Sequence, residues 1–169
     1  MLKYRKNLLT SAAAVAAGAA IAAAGITAAA AAPRPAASGT EHFQLMSTSA
    51  TSKTSSLTAY GVFTAGGTDT RTTRSTDTVT FPNGTFVITH SKGTGTQSFN
   101  PKTCLLKVNL MGTYSLGSGT GAYAGISGSG TYQLSILAVG AKSGGTCSTT
   151  LPPTSFQQVI RASGAASLG

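Results

Sequence analysis

The amino-acid sequence predicts an all-β fold: a single antiparallel β-barrel of about eight strands with one disulfide, preceded by a cleaved signal helix. Apolar and polar residues alternate with a period of two over residues 41–162, and helical periodicity is absent there. Turn chemistry rich in Gly, Asn and Pro separates the alternating segments. A sandwich of two sheets also fits this pattern, but a closed barrel leaves no exposed strand edge.

The first 32 residues are predicted to form a secretory signal peptide. Three basic residues lie among the first six, an Ala-rich apolar run follows, and small residues precede Pro33. We expect cleavage close to Ala32 and secretion of the remaining chain. A transmembrane anchor is the alternative, since the run is long enough to span a bilayer. Residues 33–40 are expected to form a flexible leader, and residues 41–169 the barrel domain.

The charged residues of the chain are mostly basic. Beyond residue 32 the chain carries nine Lys and Arg residues and only three acidic ones, Glu41, Asp69 and Asp77. The basic residues are scattered and are not interleaved with aromatic clusters, which argues against nucleic acid as a partner. A solvated surface is the simpler interpretation of this charge, and weak contact with an anionic cell envelope is the more specific one.

The first half of the domain contains four strand-like segments and one clear hairpin turn. The segments are His42–Thr48, Leu57–Thr64, Asp69–Phe81 and Thr85–Ser91. At the turn, a two-residue loop of Asn83 and Gly84 would pair Phe81 with Phe86. The alternative, which we favour slightly, puts Pro82 at the second position of a type I turn, because that position suits the fixed φ of proline.

The strongest strand signal runs from Cys104 to Leu116 and returns at residues 131–138, with a further strand expected at Phe156–Ser163. Even-numbered apolar side chains share one face of the first two segments. We therefore expect these segments to pair as a hairpin and to bury that face. The side chains expected in the core are Leu106, Val108, Leu110, Leu134 and Ile136.

A Gly/Ser-rich turn centred on Tyr123 links the two strong strands. We expect positive φ at Gly121 and Gly125, because glycine reaches these backbone angles without steric cost.

Two cysteines, Cys104 and Cys147, are expected to form a disulfide in the exported protein. If Leu116 pairs near Ser129, the hairpin register carries Cys104 to Ala141, and Cys147 follows six residues later after a flexible KSGG segment. Free thiols are the alternative. Two cysteines alone are an incomplete metal-ligand set, so neither a metal nor another cofactor is expected.

The segment GSGTGAYAGISGSG resembles the Gly-rich segment of the allene oxide cyclase and dirigent-protein barrels. The matching pattern is G-x-G-x-aromatic-x-G, at Gly119, Gly121, Tyr123 and Gly125. The segments PNGTF, NPKTC and GTC also resemble exported proteins of high-GC Gram-positive, actinobacterial type. The barrel resemblance implies an eight-stranded antiparallel barrel with a central cavity, often oligomeric, that steers cyclisation or radical coupling of small apolar molecules.

Three residues are candidates for acid–base chemistry, although the chain offers no carboxylate pair at a helpful local spacing. In the Asn83-Gly84 register, Asp77 lies opposite His90, and a buried Asp–His pair can act as a base. An exposed polar pair at the open end of the hairpin is the alternative. Glu41 begins the first strand and is the inward Glu that the cyclase resemblance would require, although a position so close to the leader is usually solvated.

Tyr114, Tyr123 and Tyr132 are candidate ligand-binding residues, with ordinary aromatic core packing as the alternative. The leading functional hypothesis is an exported barrel that binds a small apolar ligand without catalysis. A cyclase, isomerase or dirigent-type enzyme and an envelope-associated structural protein are the alternatives.

Overall fold

The computed structural model of the protein describes residues 36–169, which form β-strands, turns and one short 3-10 turn at Gly121–Tyr123. The strands are β1 Ala37–Ser47, β2 Thr54–Tyr60, β3 Ala65–Arg71, β4 Thr76–Phe81, β5 Gly84–His90, β6 Thr94–Asn100, β7 Leu105–Gly117, β8 Ser127–Val139, β9 Lys142–Ser143, β10 Thr146–Cys147 and β11 Ser155–Leu168. No helix within residues 36–169 is long and apolar enough to cross a membrane.

Eight of the strands close into an antiparallel barrel, which confirms the predicted fold. Neighbouring strands follow the order β1-β2-β3-β4-β5-β7-β8-β11, and β11 pairs with β1 to complete the ring. Closure pairs β5 with β7 and so removes one free edge, whereas β6 remains an edge strand with polar, exposed residues.

One edge of strand β7 pairs with two different strands, and this creates an open end. Its second half pairs with β5, from His90↔Tyr114 to Val87↔Gly117, and closes the barrel. Its first half pairs with β6 instead, from Thr94↔Met111 to Asn100↔Leu105. The first half of β7 and the second half of β8 therefore continue past the β5–β7 pairing, with β6 on one side and the start of β11 on the other, as a four-stranded sheet, here called the sheet extension.

An aromatic cluster fills the closed part of the barrel. Phe86 is fully buried, and its ring centroid lies 5.6–6.3 Å from those of Phe43, Phe63, Phe81 and Tyr123. The rings meet in tilted or edge-on arrangements, which aromatic side chains prefer. This cluster is a packed core, so the barrel is not hollow at this end.

The predicted inward face of β7 and β8 is correct, but full burial of its residues is wrong. Leu106, Val108 and Leu110 point to the same side as the buried Tyr114 and Leu116, yet they are only half-buried. Leu134 and Ile136 are half-buried as well. The reason is that Leu106, Val108, Leu110 and Ile136 lie on the sheet extension, where β6 replaces β5 beside β7, while Leu134 lines an internal cavity.

Several predicted boundaries differ from the structure. The expected Asp69–Phe81 strand is two strands, because Thr72 and Thr73 donate backbone hydrogen bonds to the Thr76 carbonyl and turn the chain. Strand β6 was not predicted, since its residues are nearly all polar and exposed. The flexible leader is wrong for residues 37–40, which belong to β1 and pair with the end of β11. The second predicted segment, Leu57–Thr64, is too long at its end, because β2 stops at Tyr60.

The β4–β5 hairpin adopts the Pro-led turn. Phe81 pairs with Gly84, and Val79 with Phe86, so Pro82 and Asn83 occupy the central positions. This hairpin turn docks on the Gly-rich turn, where the Ala122 amide donates to the Asn83 carbonyl at 2.8 Å.

The Gly-rich turn has the predicted backbone conformation. Gly121 has a φ of 59° and Gly125 a φ of 78°. Tyr123 is buried between these glycines and packs into the aromatic cluster, with its ring centroid 5.0 Å from that of Phe63.

Cys104 and Cys147 form the predicted disulfide, with Cα atoms 5.4 Å apart. The hairpin register differs by one residue from the expectation, because Leu116 pairs with Gly128 and the Gly140 amide donates to the Cys104 carbonyl. The KSGG segment is not an open flexible stretch. Its Lys142 and Ser143 form β9, which pairs with β10, and this short hairpin brings Cys147 back towards Cys104.

Candidate binding cavity

A cavity of about 80 Å³ lies between the aromatic cluster and the sheet extension. Its apolar wall consists of Phe43, Leu45, Ile88, Leu134, Ile160 and Ala162. Its polar wall consists of Asp69, Arg71, Asp77, His90, Tyr114 and Tyr132. Apolar surroundings with a few convergent polar groups are typical of small-molecule sites.

The structure brings Asp77 and His90 together on the cavity wall. Because Asp77 pairs with Ile88, His90 lies one same-face position further along β5, and the two side chains meet diagonally. The imidazole Nε2 is 3.3 Å from the Asp77 Oδ2, with side-chain exposures of 21% and 16%. Burial raises the pKa of Asp77, while the neighbouring His90 and Arg71 act to lower it. The pair is therefore half-enclosed rather than an exposed polar contact.

Asp69 is the most unusual group in the cavity, and the sequence reasoning did not identify it as a site residue. It lies on β3 opposite Val79, is only 6% exposed, and its Oδ1 atom has no hydrogen-bond partner. Burial and the negative charge of Asp77 raise the pKa of Asp69 to about 7, and Arg71 opposes this shift. A buried carboxyl without a partner is costly, which is why such groups concentrate at functional sites.

Two of the three candidate tyrosines line the cavity. Tyr114 is buried, its hydroxyl has no partner, and burial together with the charge of Glu41 raises its pKa to about 12. Tyr132 donates from its hydroxyl to the Ser91 carbonyl at 3.0 Å and packs edge-on against His90. Tyr123 belongs to the aromatic cluster instead and is not part of the cavity wall.

Glu41 is fully buried rather than solvated, but it does not line the cavity. Its Oε2 accepts a hydrogen bond from the Phe63 amide at 3.1 Å, which fixes the turn after β2. Burial raises the pKa of Glu41, and the hydrogen bonds from backbone amides partly offset this. Its evident contribution is to anchor that turn.

Within residues 36–169, charge is segregated between the inside and the outside of the barrel. The three acidic side chains, Glu41, Asp69 and Asp77, all lie inside. The basic residues are all exposed: Lys53, Arg71, Arg74, Lys92, Lys102, Lys107, Lys142 and Arg161. The charged side chains of the outer surface are therefore all basic, while the cavity wall carries two carboxyl groups and the guanidinium of Arg71.

The alternation of inward and outward positions along β3 and β4 was sufficient to place Asp69 inside the barrel. Asp69, Arg71 and Asp77 are all odd-numbered, as are the core residues Val79 and Phe81. The four-residue turn between β3 and β4 preserves this parity, so all five side chains share the inner face.

Comparison with protein-family models, with curated proteins and with solved structures finds no match for this chain.

Proposed function

We propose that this barrel binds a small, mainly apolar molecule in the cavity lined by Asp69, Asp77 and His90. The observation that carries the proposal is a cavity with apolar walls into which polar groups without internal partners converge. The resemblance of the Gly-rich turn to the allene oxide cyclase and dirigent barrels supports the same function.

The size of the cavity limits how much of a ligand it encloses. An engineered cavity of about 150 Å³ holds one benzene molecule, and this cavity measures about 80 Å³. It therefore encloses one end of a ligand. The remainder extends over the half-buried apolar face of the sheet extension, which includes Leu110 and Ile136.

Competition with a hydrophobic fluorophore tests the proposal. Small alcohols, phenols and lipids should displace the dye and raise the thermal midpoint of the protein. Ala162→Leu fills the cavity and should abolish displacement, whereas the matched surface variant Ala50→Leu should bind like the parent. No ligand-dependent stabilisation with any of these classes, or equal binding by both variants, would count against a cavity site.

Proton-transfer catalysis of the cyclase or isomerase type is the second candidate, and the Asp77–His90 contact on the cavity wall favours it. A carboxylate in contact with an imidazole inside a cavity can remove a proton adjacent to a carbonyl. Exchange of the α-protons of cyclopentanone in D₂O, followed by NMR, is a suitable probe because the ketone is small. Asp77→Asn should remove the acceleration. Exchange no faster than in buffer would reject this candidate.

We also propose that the chain is exported and contacts an anionic cell envelope through its basic exterior. The signal-like segment lies outside the described residues, and the disulfide is in keeping with an oxidising compartment. Extraction of cell envelopes with increasing salt tests the contact, since charge-mediated attachment weakens with ionic strength. Retention at 1 M salt would contradict it.

A further inference from the structure

Two carboxyl groups in the cavity have oxygen atoms that no protein group satisfies. Asp69 is more than nine-tenths buried and lines the cavity, and its Oδ1 has no hydrogen-bond partner. The Oδ1 of Asp77 is also buried without a partner, although its Oδ2 contacts His90. A buried carboxylate oxygen needs a donor, so both atoms indicate a ligand that carries N–H or O–H groups.

The charges that face these carboxylates leave one negative charge unmatched. Arg71 lines the cavity but is exposed, and among the described residues it forms no ion pair with either carboxylate. His90, Tyr114 and Tyr132 are the other titratable groups on the wall. With a neutral imidazole, two carboxylates oppose one guanidinium, so a ligand with a single positive charge completes the balance.

We propose that the cavity binds an apolar amine, with its protonated amino group at Asp69 and Asp77 and its hydrocarbon part against the apolar wall and the sheet extension. This inference rests on the proposed function and specifies the class of ligand. An ammonium group supplies three donors, which suits two orphaned carboxylate oxygens. The half-buried Leu110, Leu134 and Ile136 supply a continuous apolar face on which an alkyl chain can lie.

The positive charge of the outer surface allows selective binding of an amine in the cavity to be distinguished from non-specific adsorption. All eight described basic residues are exposed, and every described acidic residue is inside. Adsorption to the outer surface would therefore favour an anionic amphiphile over a cationic one. Preference for the amine can arise only from a site where the carboxylates act.

Isothermal titration at pH 8.5 with n-octylamine, 1-octanol and octanoate tests the inference. The amine should bind at least about tenfold more tightly than the alcohol, because it gains a desolvated ion pair, and octanoate should bind most weakly, because Asp69 and Asp77 repel its carboxylate. Asp69→Asn should remove the preference for the amine while it retains binding of 1-octanol. Retained binding of the alcohol shows that the variant is folded. Asn109→Asp adds a carboxylate to the outer face of β7 and should leave all three affinities unchanged.

Acidification provides an independent readout. The pKa of Asp69 is about 7, so at pH 5.5 this carboxyl is largely protonated while the amine keeps its charge. Affinity for n-octylamine should therefore fall by about tenfold or more between pH 8.5 and pH 5.5, and affinity for 1-octanol should stay constant. Equal binding of amine and alcohol, or tightest binding of octanoate, would overturn the amine assignment alone. Failure of all three probes to bind would overturn the proposed function itself.

Discussion

The imidazole Nε2 of His90 lies 3.3 Å from the Oδ2 of Asp77, and this contact joins two strands whose register places the residues one same-face step apart. It leaves the second carboxylate oxygen of Asp77 without a partner on the cavity side. Asp69 lies on the neighbouring strand with its own unsatisfied oxygen. The charged side chains of the cavity wall therefore come from β3, β4 and β5, the two tyrosines come from β7 and β8, and the apolar wall comes largely from β1, β8 and β11.

The pKa of the Asp69 carboxyl should depend on the charges of its neighbours Asp77 and Arg71. The charge of Asp77 helps to raise the pKa of Asp69, and Arg71 acts against this. Asp77→Asn should therefore lower the pKa of Asp69, and Arg71→Gln should raise it. Carboxyl-detected NMR of Asp69 measures both shifts. Shifts of the same sign in the two variants would contradict this electrostatic account.

Stability of the wild-type protein should fall as pH rises from about 4 to about 7. Asp69 loses its proton near 3.8 in the unfolded chain but at about 7 in the fold. The folded state therefore holds the extra proton in this interval, so deprotonation favours unfolding, and the effect levels off above pH 7.

Asp69→Asn should make the free energy of unfolding less dependent on pH. It should also stabilise the protein at pH 8 by about 1–3 kcal/mol, because it removes a buried charge. Urea unfolding at a series of pH values measures both effects. Loss of stability on substitution at pH 8 would show that the carboxylate is satisfied in solution.

Gly121 and Gly125 should differ in their tolerance of alanine. Both have positive φ, so Ala costs about 1 kcal/mol at either site. A Cβ on Gly121 would also collide with the Asn83 carbonyl oxygen, whereas a Cβ on Gly125 meets only Gly169 at 3.5 Å. Gly121→Ala should therefore be the more destabilising by at least about 1 kcal/mol, as measured by chemical denaturation. Equal effects would mean that the two turns do not dock as described.

Reduction of the disulfide should lower stability substantially. Cys104 and Cys147 are 43 residues apart, and the chain-entropy relation gives a stabilisation of about 4 kcal/mol for such a loop. Thermal melts with and without reductant measure this loss. The double variant Cys104→Ala, Cys147→Ala serves as the control, because reductant should not change its melting temperature. An unchanged melting temperature of the parent after reduction would contradict the prediction.

Truncation of an apolar side chain should destabilise the protein more in the aromatic cluster than on the sheet extension. Phe86 is fully buried in the aromatic cluster, so Phe86→Ala should cost about 3–5 kcal/mol. Leu110 is half-buried on the sheet extension, so Leu110→Ala should cost less than about 2 kcal/mol. Urea denaturation compares the two. A larger loss at Leu110 would place the main core in the sheet extension.

Strand alternation predicted the strands and the inward face of β7, and the argument from exposed edges favoured a barrel over a sandwich. The disulfide followed from the expected export and from the hairpin register. The Asp77–His90 contact followed from a hairpin register that the protein does not adopt. The contact forms nonetheless, because the predicted and observed registers differ by two residues and a shift of two keeps side chains on the same face. The half-burial of Leu106 and Val108 was not predictable, since it depends on the polar β6 pairing with β7.

Binding in the cavity is tested most directly by methyl NMR of Ile- and Leu-labelled protein during titration with 1-octanol. The account predicts saturable shifts at the cavity residues Leu45, Ile88, Leu134 and Ile160. The exposed Leu151 and Leu137 should remain unchanged. Shifts confined to the exposed pair, or no saturable shift at any cavity methyl, would contradict a binding site inside the barrel.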